Sequence, residues 1–311
     1  MEARLDSRRR RVVKLMAGKS SFLLLVALAL CLSGPAQRQS QASHPVTPPR
    51  PTIGPTLENC PVTLPPATDV AVWVGGCDQP GAAFGDTLTA ADVNGDGYSD
   101  LLVGAPQYSR AEGQNGAVFM FLGSETGLGV RPNWMIVDEG ERYRLGEVVD
   151  AAGDVNGDGF GDVIVAASHY AGESGKYHGG VFLYAGSEQG LGTVPAWQVP
   201  RSGVSCCLIY GNASATGVGD INGDGFDDIV LRGTVPAGEE EWDWLLYLGS
   251  PGGLPEEPDR RIPVLGEAAA RAGDVDGDGY AELLIRSSSW DRLQLLPGSA
   301  LGPLVEPVWS I

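Results

Sequence analysis

From residue 70 onward the chain is written in short apolar runs broken by Gly- and Pro-rich polar stretches. One set of runs is Leu101-Leu-Val-Gly-Ala105, Val163-Ile-Val-Ala-Ala167, Ile229-Val-Leu231 and Leu283-Leu-Ile285. Runs this short, β-branched or Leu-rich and bounded by Gly and Pro, predict buried strands. Each is followed by an alternating strand with a Gly-Ser exit: Ala117–Ser124, Val181–Ser187, Leu245–Ser250 and Leu293–Ser299. A Pro-x-Trp strand comes next at Trp134, Trp197 and Trp309, with Arg260 in place of Trp in the third copy. An aromatic- or Leu-Gly pair opens every unit: Phe84-Gly85, Leu145-Gly146, Tyr210-Gly211 and Leu265-Gly266. The pattern predicts four units of four short strands each, over about 84–137, 145–200, 210–263 and 265–311. Four-stranded units repeated along a chain are the mark of propeller blades.

Between the first two strands of every unit lies the same acidic loop, D-x-[DN]-x-D-G-[YF]-x-[DE], with first residues at 92, 154, 220 and 274. Ca²⁺ is a hard cation that takes 6–8 oxygen ligands, and alternate loop positions can supply them. The predicted ligands are Asp92, Asn94, Asp96, Tyr98 and Asp100; Asp154, Asn156, Asp158, Phe160 and Asp162; Asp220, Asn222, Asp224, Phe226 and Asp228; and Asp274, Asp276, Asp278, Tyr280 and Glu282. The aromatic residue at position 7 would contribute only its backbone carbonyl, and Gly at position 6 permits the sharp turn. An EF-hand needs Glu at position 12. Val103, Val165, Leu231 and Ile285 stand there, so these are hairpin loops rather than helix–loop–helix sites. Up to four Ca²⁺ ions are expected.

On these residues the chain resembles the FG-GAP repeats of the integrin α-subunit β-propeller and their bacterial relatives. The first unit carries both halves of the signature, Phe84-Gly85 and Gly104-Ala105-Pro106, and the resemblance covers roughly residues 70–311. It implies an all-β, secreted or surface-exposed propeller with Ca²⁺ on its hairpin loops and partners met by other loops. Integrin-type propellers have seven blades, whereas four are found here. A four-bladed ring, an arc completed by another chain and a piece of a longer sequence all remain open. An extra strand, Val70–Val74, precedes the first blade, and open blade edges would favour self-association.

Residues 1–36 read as a signal peptide, with a basic stretch from Arg8 to Lys19, an apolar run of 11 residues from Phe22 to Leu32, and small residues at Gly34 and Ala36. Arg9-Arg10 resembles a twin-arginine signal, and Leu28-Ala-Leu-Cys31 a lipoprotein box. Residues 37–66, with eight prolines, read as a disordered leader, and 67–311 as the propeller. No transmembrane span is expected in the mature chain, so the protein is placed outside the cell, in a periplasm or on a surface.

The chain carries a formal charge of −18. Without residues 1–36 it keeps 14 basic and 37 acidic side chains, or −23, which argues against nucleic-acid binding. Of the acidic groups, 13 sit at the predicted ligand positions. Cys60, Cys77, Cys206 and Cys207 remain without residues 1–36, and a Cys60–Cys77 disulfide is the preferred pairing in an exported protein. His169 and His178 share one loop, Glu239–Glu241 another, and both read as solvated turns. Asn212-Ala-Ser214 fits a glycosylation sequon. No catalytic constellation stands out, so the sequence points to a non-catalytic recognition or adhesion module. Loops such as 107–115, 169–178 and 236–241 would meet a protein or surface ligand. A propeller-type hydrolase or lyase, or a subunit of a larger assembly, is the alternative.

Overall fold

A computed structural model describes residues 73–310 except 110–114, 138–143, 169–178, 200–204, 207–214, 235–242, 264–265, 288–291, 304–306 and 308. The chain divides into two compact units, Met1–Pro45 and Val46–Ile311, and every described residue belongs to the second. The tyrosine of Tyr210-Gly211, Leu265, both loop histidines and Glu239–Glu241 fall outside the described residues.

The four predicted units are four antiparallel sheets. Blade 1 is β1 (Thr87–Ala91), β2 (Asp100–Ala105), β3 (Ala117–Phe121) and β4 (Trp134–Val137). Blade 2 is β5 (Val148–Gly153), β6 (Asp162–Ala167), β7 (Gly180–Tyr184) and β8 (Trp197–Val199). Blade 3 has β10 (Ala215–Gly219), β11 (Asp228–Thr234), β12 (Asp243–Tyr247) and β13 (Arg260–Ile262), with the short β9 (Ser205–Cys206) pairing on the extended end of β11. Blade 4 is β14 (Ala268–Gly273), β15 (Glu282–Arg286), β16 (Leu293–Leu296) and β17 (Trp309–Ser310). Within each blade neighbours in sequence pair antiparallel, so every connection is a hairpin. Among the described residues no helix is long and apolar enough to cross a membrane.

The inner strands β1, β5, β10 and β14 lie side by side in that order. No comparable packing joins β14 back to β1, so the described blades form an open arc. Because side chains alternate along a strand, each second strand serves two junctions. Val163 and Val165 of β6 face blade 1, while Ile164 faces blade 3. Ile229 and Leu231 of β11 face blade 2, while Val230 faces blade 4. This two-sided burial is why the runs are continuously apolar.

The outer-strand tryptophans lock each blade to the next. Trp134 meets the Tyr184 ring edge-on with centroids 5.6 Å apart, and its Nε1–H donates to the Gly192 carbonyl at 3.1 Å. Trp197 repeats this on Tyr247 at 5.0 Å and donates to the Pro255 carbonyl at 2.6 Å. Where blade 3 has Arg260 instead, its Nη1 donates to the Leu301 carbonyl of blade 4 at 2.9 Å. Polar bonds add to the lock on the inner strands. Asp150 of β5 accepts from Thr89 of β1 at 3.4 Å and from Thr216 of β10 at 2.5 Å, so one carboxylate ties three blades.

Residues 73–86 pack on the face of blade 1 that has no preceding blade. Phe84 lies edge-on to Phe119 at 5.3 Å, and Trp73 edge-on to Phe121 at 5.0 Å. The Gly85 N–H reaches the Gly104 carbonyl at 2.9 Å, with Gly85 at φ +89°, a conformation open to glycine. The expected Cys60–Cys77 disulfide is not seen among the described residues, and Cys60 lies outside them. Cys77 is a free thiol whose Sγ–H points to the Gln79 carbonyl at 3.5 Å, inside the turn that leads into this capping segment.

Truncating Trp197, which is only 4% exposed, removes the ring contact and one buried hydrogen bond at a junction. Trp197→Ala is expected to lower stability by about 3–5 kcal/mol, read as an earlier midpoint in urea. A loss under about 1 kcal/mol would mean the junction does not depend on this ring.

Candidate metal centres

Each acidic loop joins the first two strands of a blade, so all four sit at the same end of their sheets. In blades 2 to 4 a register shift precedes the first aspartate, at Gly153, Gly219 and Gly273, with φ of +83°, +83° and +76°. Such a bulge re-aims the backbone out of the ladder. The chain then folds back on its own carboxylates. Asp154 accepts N–H groups from Gly157 at 2.7 Å, Asp158 at 3.1 Å and Gly159 at 2.8 Å. Asp220 and Asp274 take the same three donors from their loops, and Asp92 takes those of Asp96 and Gly97. Asp96, Asp158, Asp224 and Asp278 each accept the N–H of the aromatic residue two positions on, at 2.9–3.1 Å.

The third position separates the loops. Asn94, Asn156 and Asn222 each donate Nδ2–H to the position-5 aspartate at 2.9 Å, which eases the charge on that carboxylate. Asp276 has no such donor. In the fourth loop Asp274, Asp276, Asp278 and Glu282 bring ligand oxygens within 4.8 Å of one another, the one such group among the described residues.

The ninth position does something the sequence did not reveal. Asp100, Asp162 and Asp228 are wholly buried. Each accepts the N–H of loop position 2 on Oδ2, from Val93, Val155 or Ile221, at 2.9–3.1 Å. Each also accepts on Oδ1 the N–H of the glycine in the Gly-Ser turn, Gly123, Gly186 or Gly249, at 2.8–2.9 Å. Burial pushes Asp162 and Asp228 up to about 7, against the pull of these donors, and the nearby loop aspartates add to the rise. Glu282 is one carbon longer. Its Oε2 accepts the Val275 N–H at 2.5 Å, while Oε1 is buried without a hydrogen-bond partner. A buried carboxylate oxygen left unpaired beside three exposed aspartates fits a cation, which would complete its coordination.

A second unread feature is loop-to-loop packing. The position-7 ring of one loop lies on the position-4 glycine of the loop before it. A Cβ on Gly157 would meet Phe226 at 2.5 Å, one on Gly223 would meet Tyr280 at 2.6 Å, and one on Gly95 would meet Phe160 at 3.0 Å. All three glycines have φ between +69° and +73°. The aromatic residue at position 7 thus has a packing role in addition to offering its carbonyl. A sequence signal existed, because the glycine at position 4 and the aromatic residue at position 7 recur together in all four loops.

A model of the FG-GAP repeat matches residues 84–119, and one of the FG-GAP-like repeat matches residues 154–231 and 220–285. Integrin alpha-4 of Xenopus laevis is 35% identical over 154 residues, which is 49% of this chain and 14% of that protein. Integrin alpha-IIb of Mus musculus is 35% identical over 160 residues, 50% of this chain and 15% of that protein. Phosphatidylinositol-glycan-specific phospholipase D of Homo sapiens is 36% identical over 163 residues, covering 49% and 19%. The chain spans less than a fifth of the length of these relatives.

The raised carboxyls give a pH dependence of definite sign. Asp162 and Asp228 titrate near 7 when folded and from 3.8 as their ordinary value, so the folded chain holds the extra protons between those limits. Their contribution to stability therefore falls as pH rises from about 4 to 7. In EDTA the urea midpoint is expected to be higher at pH 5.5 than at pH 7.5. A metal-free midpoint that climbs over this range would contradict the assignment.

Proposed function

Because the chain belongs to the FG-GAP repeat family, whose integrin α relatives support an adhesion or recognition propeller at family level, we propose that it is a calcium-stabilised recognition module working outside the cell. The observation that carries the calcium reading is the fourth loop, with four carboxylates within 4.8 Å and an orphaned buried oxygen. The other three loops share its backbone cage and support the same assignment. Asp92, Asn94 and Asp96 with the Tyr98 carbonyl, and their counterparts in the later loops, would hold the ions. The position-9 carboxylates would complete each site with the lone pairs their backbone donors leave. Bound calcium would supply charge neutralisation and would fix the loop backbone. It would perform no reaction.

Recognition is assigned to the loops at the blade rims, in the stretches 107–115, 169–178 and 236–241, most of which lies outside the described residues. A protein or surface ligand suits such a scaffold, since rigid repeats with variable connections are a common binding surface. The recurrent large side chains are absorbed by blade junctions and loop closure, which favours binding over catalysis. Export rests on the basic and apolar segments of residues 1–36.

Calcium is expected to raise the melting temperature. Each filled site adds RT ln(1 + [L]/Kd), about 2.7 kcal/mol at a hundredfold excess over Kd, and for a domain of this size 1 kcal/mol corresponds to about 2–4 °C. Calorimetry should count up to four ions, with Mg²⁺ a poor substitute because it demands compact octahedral sites. Asp278→Ala should remove one ion and part of the shift. A wild-type chain that binds no calcium and melts identically in EDTA would end the proposal.

A further inference from the structure

The residue that follows the third strand of a blade holds a backbone N–H that no strand neighbour satisfies, and the blades treat it differently. In blade 1 the Leu122 N–H donates to Asn133 Oδ1 at 3.1 Å. In blade 3 the Leu248 N–H donates to Asp259 Oδ2 at 2.8 Å. Both acceptors stand just before the fourth strand, where their own N–H groups bond the Met120 and Leu246 carbonyls at 2.8 and 2.9 Å. Blade 4 has Pro297 at the donor position, so there is no N–H to satisfy. Blade 2 keeps the donor, at Ala185, and has Ala196 where the acceptor belongs. The backbone there is unchanged, since the Ala196 N–H bonds the Leu183 carbonyl at 2.8 Å. What is lacking is the side-chain oxygen, and among the described residues the Ala185 N–H has no acceptor.

The space beside that N–H is open. A crevice of about 300 Å³ lies between blades 2 and 3, lined by Leu183, Trp197 and Leu254, by Ala185 and Ala196, and by Asp158 of the second acidic loop. The neighbouring junctions close the same space. A Cβ at Gly190 would meet Met120 Cε at 3.3 Å, and one at Gly302 would meet Leu246 Cδ2 at 3.0 Å. At the equivalent Gly253 a Cβ would meet nothing within 4 Å. The lining is also made of smaller side chains, with Leu183, Ala185 and Ala196 in the places of Met120, Leu122 and Asn133. An apolar crevice with a few fixed polar groups is the usual form of a binding site.

We propose that this crevice receives an asparagine side chain from an extended segment of a partner protein. Its Oδ1 accepts the Ala185 N–H, as Asn133 and Asp259 accept for their own blades, and Leu183, Trp197 and Leu254 take the aliphatic part of the segment. The site presupposes the recognition role proposed above, and it lies at the end of the sheets opposite the loops named there. Charge selects the carboxamide. Where the fourth strand opens on Arg260 the acceptor is the charged Asp259, and where it opens on Trp134 the acceptor is the neutral Asn133. Blade 2 opens its fourth strand on Trp197 and presents the exposed Asp158 to the crevice, so a carboxylate would meet like charge and an amide would not. Calcium in that loop would leave its three carboxylates with a net negative charge, which preserves the preference.

Amide proton–nitrogen spectra of the isotope-labelled full chain in calcium, titrated with N-acetylasparagine N-methylamide, test this. The Ala185 cross-peak should move downfield and saturate, while those of Leu122 and Leu248, already bonded within their blades, stay in place. The aspartate analogue of the probe should bind about tenfold more weakly, because it brings a like charge to Asp158. Ala196→Asn replaces an exposed side chain and supplies the acceptor in cis. It should shift the Ala185 peak without any probe and abolish the response to the probe. A wild-type Ala185 peak that stays put up to the solubility limit overturns the proposal, and is the outcome for a crevice that holds only water. So does an aspartate analogue that binds equally well, or an Ala196→Asn chain that still takes the probe. The measurement needs no natural partner and no count of ions, so its failure is distinct from failure of the recognition role or of the calcium sites.

Discussion

Asp100, Asp162 and Asp228 each lie wholly out of water, and each commits one oxygen to its own acidic loop and the other to the turn between the next two strands. A buried carboxylate without donors would cost several kcal/mol, and two backbone N–H groups are what make its position tolerable. The bonds have a geometric effect as well as an energetic one. They pull the start of the loop against the Gly-Ser turn, and so fix where loop position 2 projects. From that position Val93, Val155 and Ile221 enter the junction with the next blade. The carbonyls of positions 1 and 2 are turned outward by the same constraint, toward the donors of the following blade. Hairpin closure and blade docking therefore depend on one side chain per repeat.

That dependence explains why the repeat keeps its shape while its length varies by several residues from copy to copy. The spacing inside the acidic loop is invariant because the position-9 carboxylate must reach position 2, seven residues back, in all four units. The variable lengths fall in the connections between the second and third strands and between blades, most of which lies outside the described residues. Even the loss of a tryptophan at Arg260 is absorbed, since a guanidinium can donate to a carbonyl of the neighbouring blade as the indole does. A repeat protein of this kind is close to a sum of units and nearest-neighbour contacts.

Much of this was legible in the sequence. Apolar runs, alternation with Gly-Ser exits and the Pro-x-Trp pattern placed the second to fourth strands of the blades, and the loop spacing placed the acidic residues on hairpins. The rejection of an EF-hand from Val103, Val165, Leu231 and Ile285 is matched by their burial in strands. Periodicity reports which residues share a face, but not which neighbour that face meets. The recurrence of Gly at position 4 with an aromatic residue at position 7 was visible, but that Phe160, Phe226 and Tyr280 cover the glycine of the preceding loop was not, because the contact joins residues of different repeats. Counting cysteines in an exported chain says that bridges are favourable, while the place of Cys77, a free thiol among the described residues, is set by the turn that brings Ala82 and Phe84 onto blade 1.

Ion binding and blade docking share their parts, and this bears on how such a module would respond to its surroundings. The backbone that carries the carboxylates of positions 1, 3 and 5 also carries the position-2 side chain and the position-4 glycine that meet the next blade. Without a cation the aspartates of one loop repel, and the loop resists that repulsion only through its own N–H groups. Relaxation of the loop would shift position 2 and loosen the ring from the glycine beneath it. The proposed calcium sites would thus act on the junctions as much as on the loops, stiffening the arc blade by blade. Glu282 sharpens the point. At the one loop with no following blade among the described residues, the buried carboxylate has given up its second backbone donor and left an oxygen for a cation. Where packing does not hold the loop, the chemistry present is that of an ion.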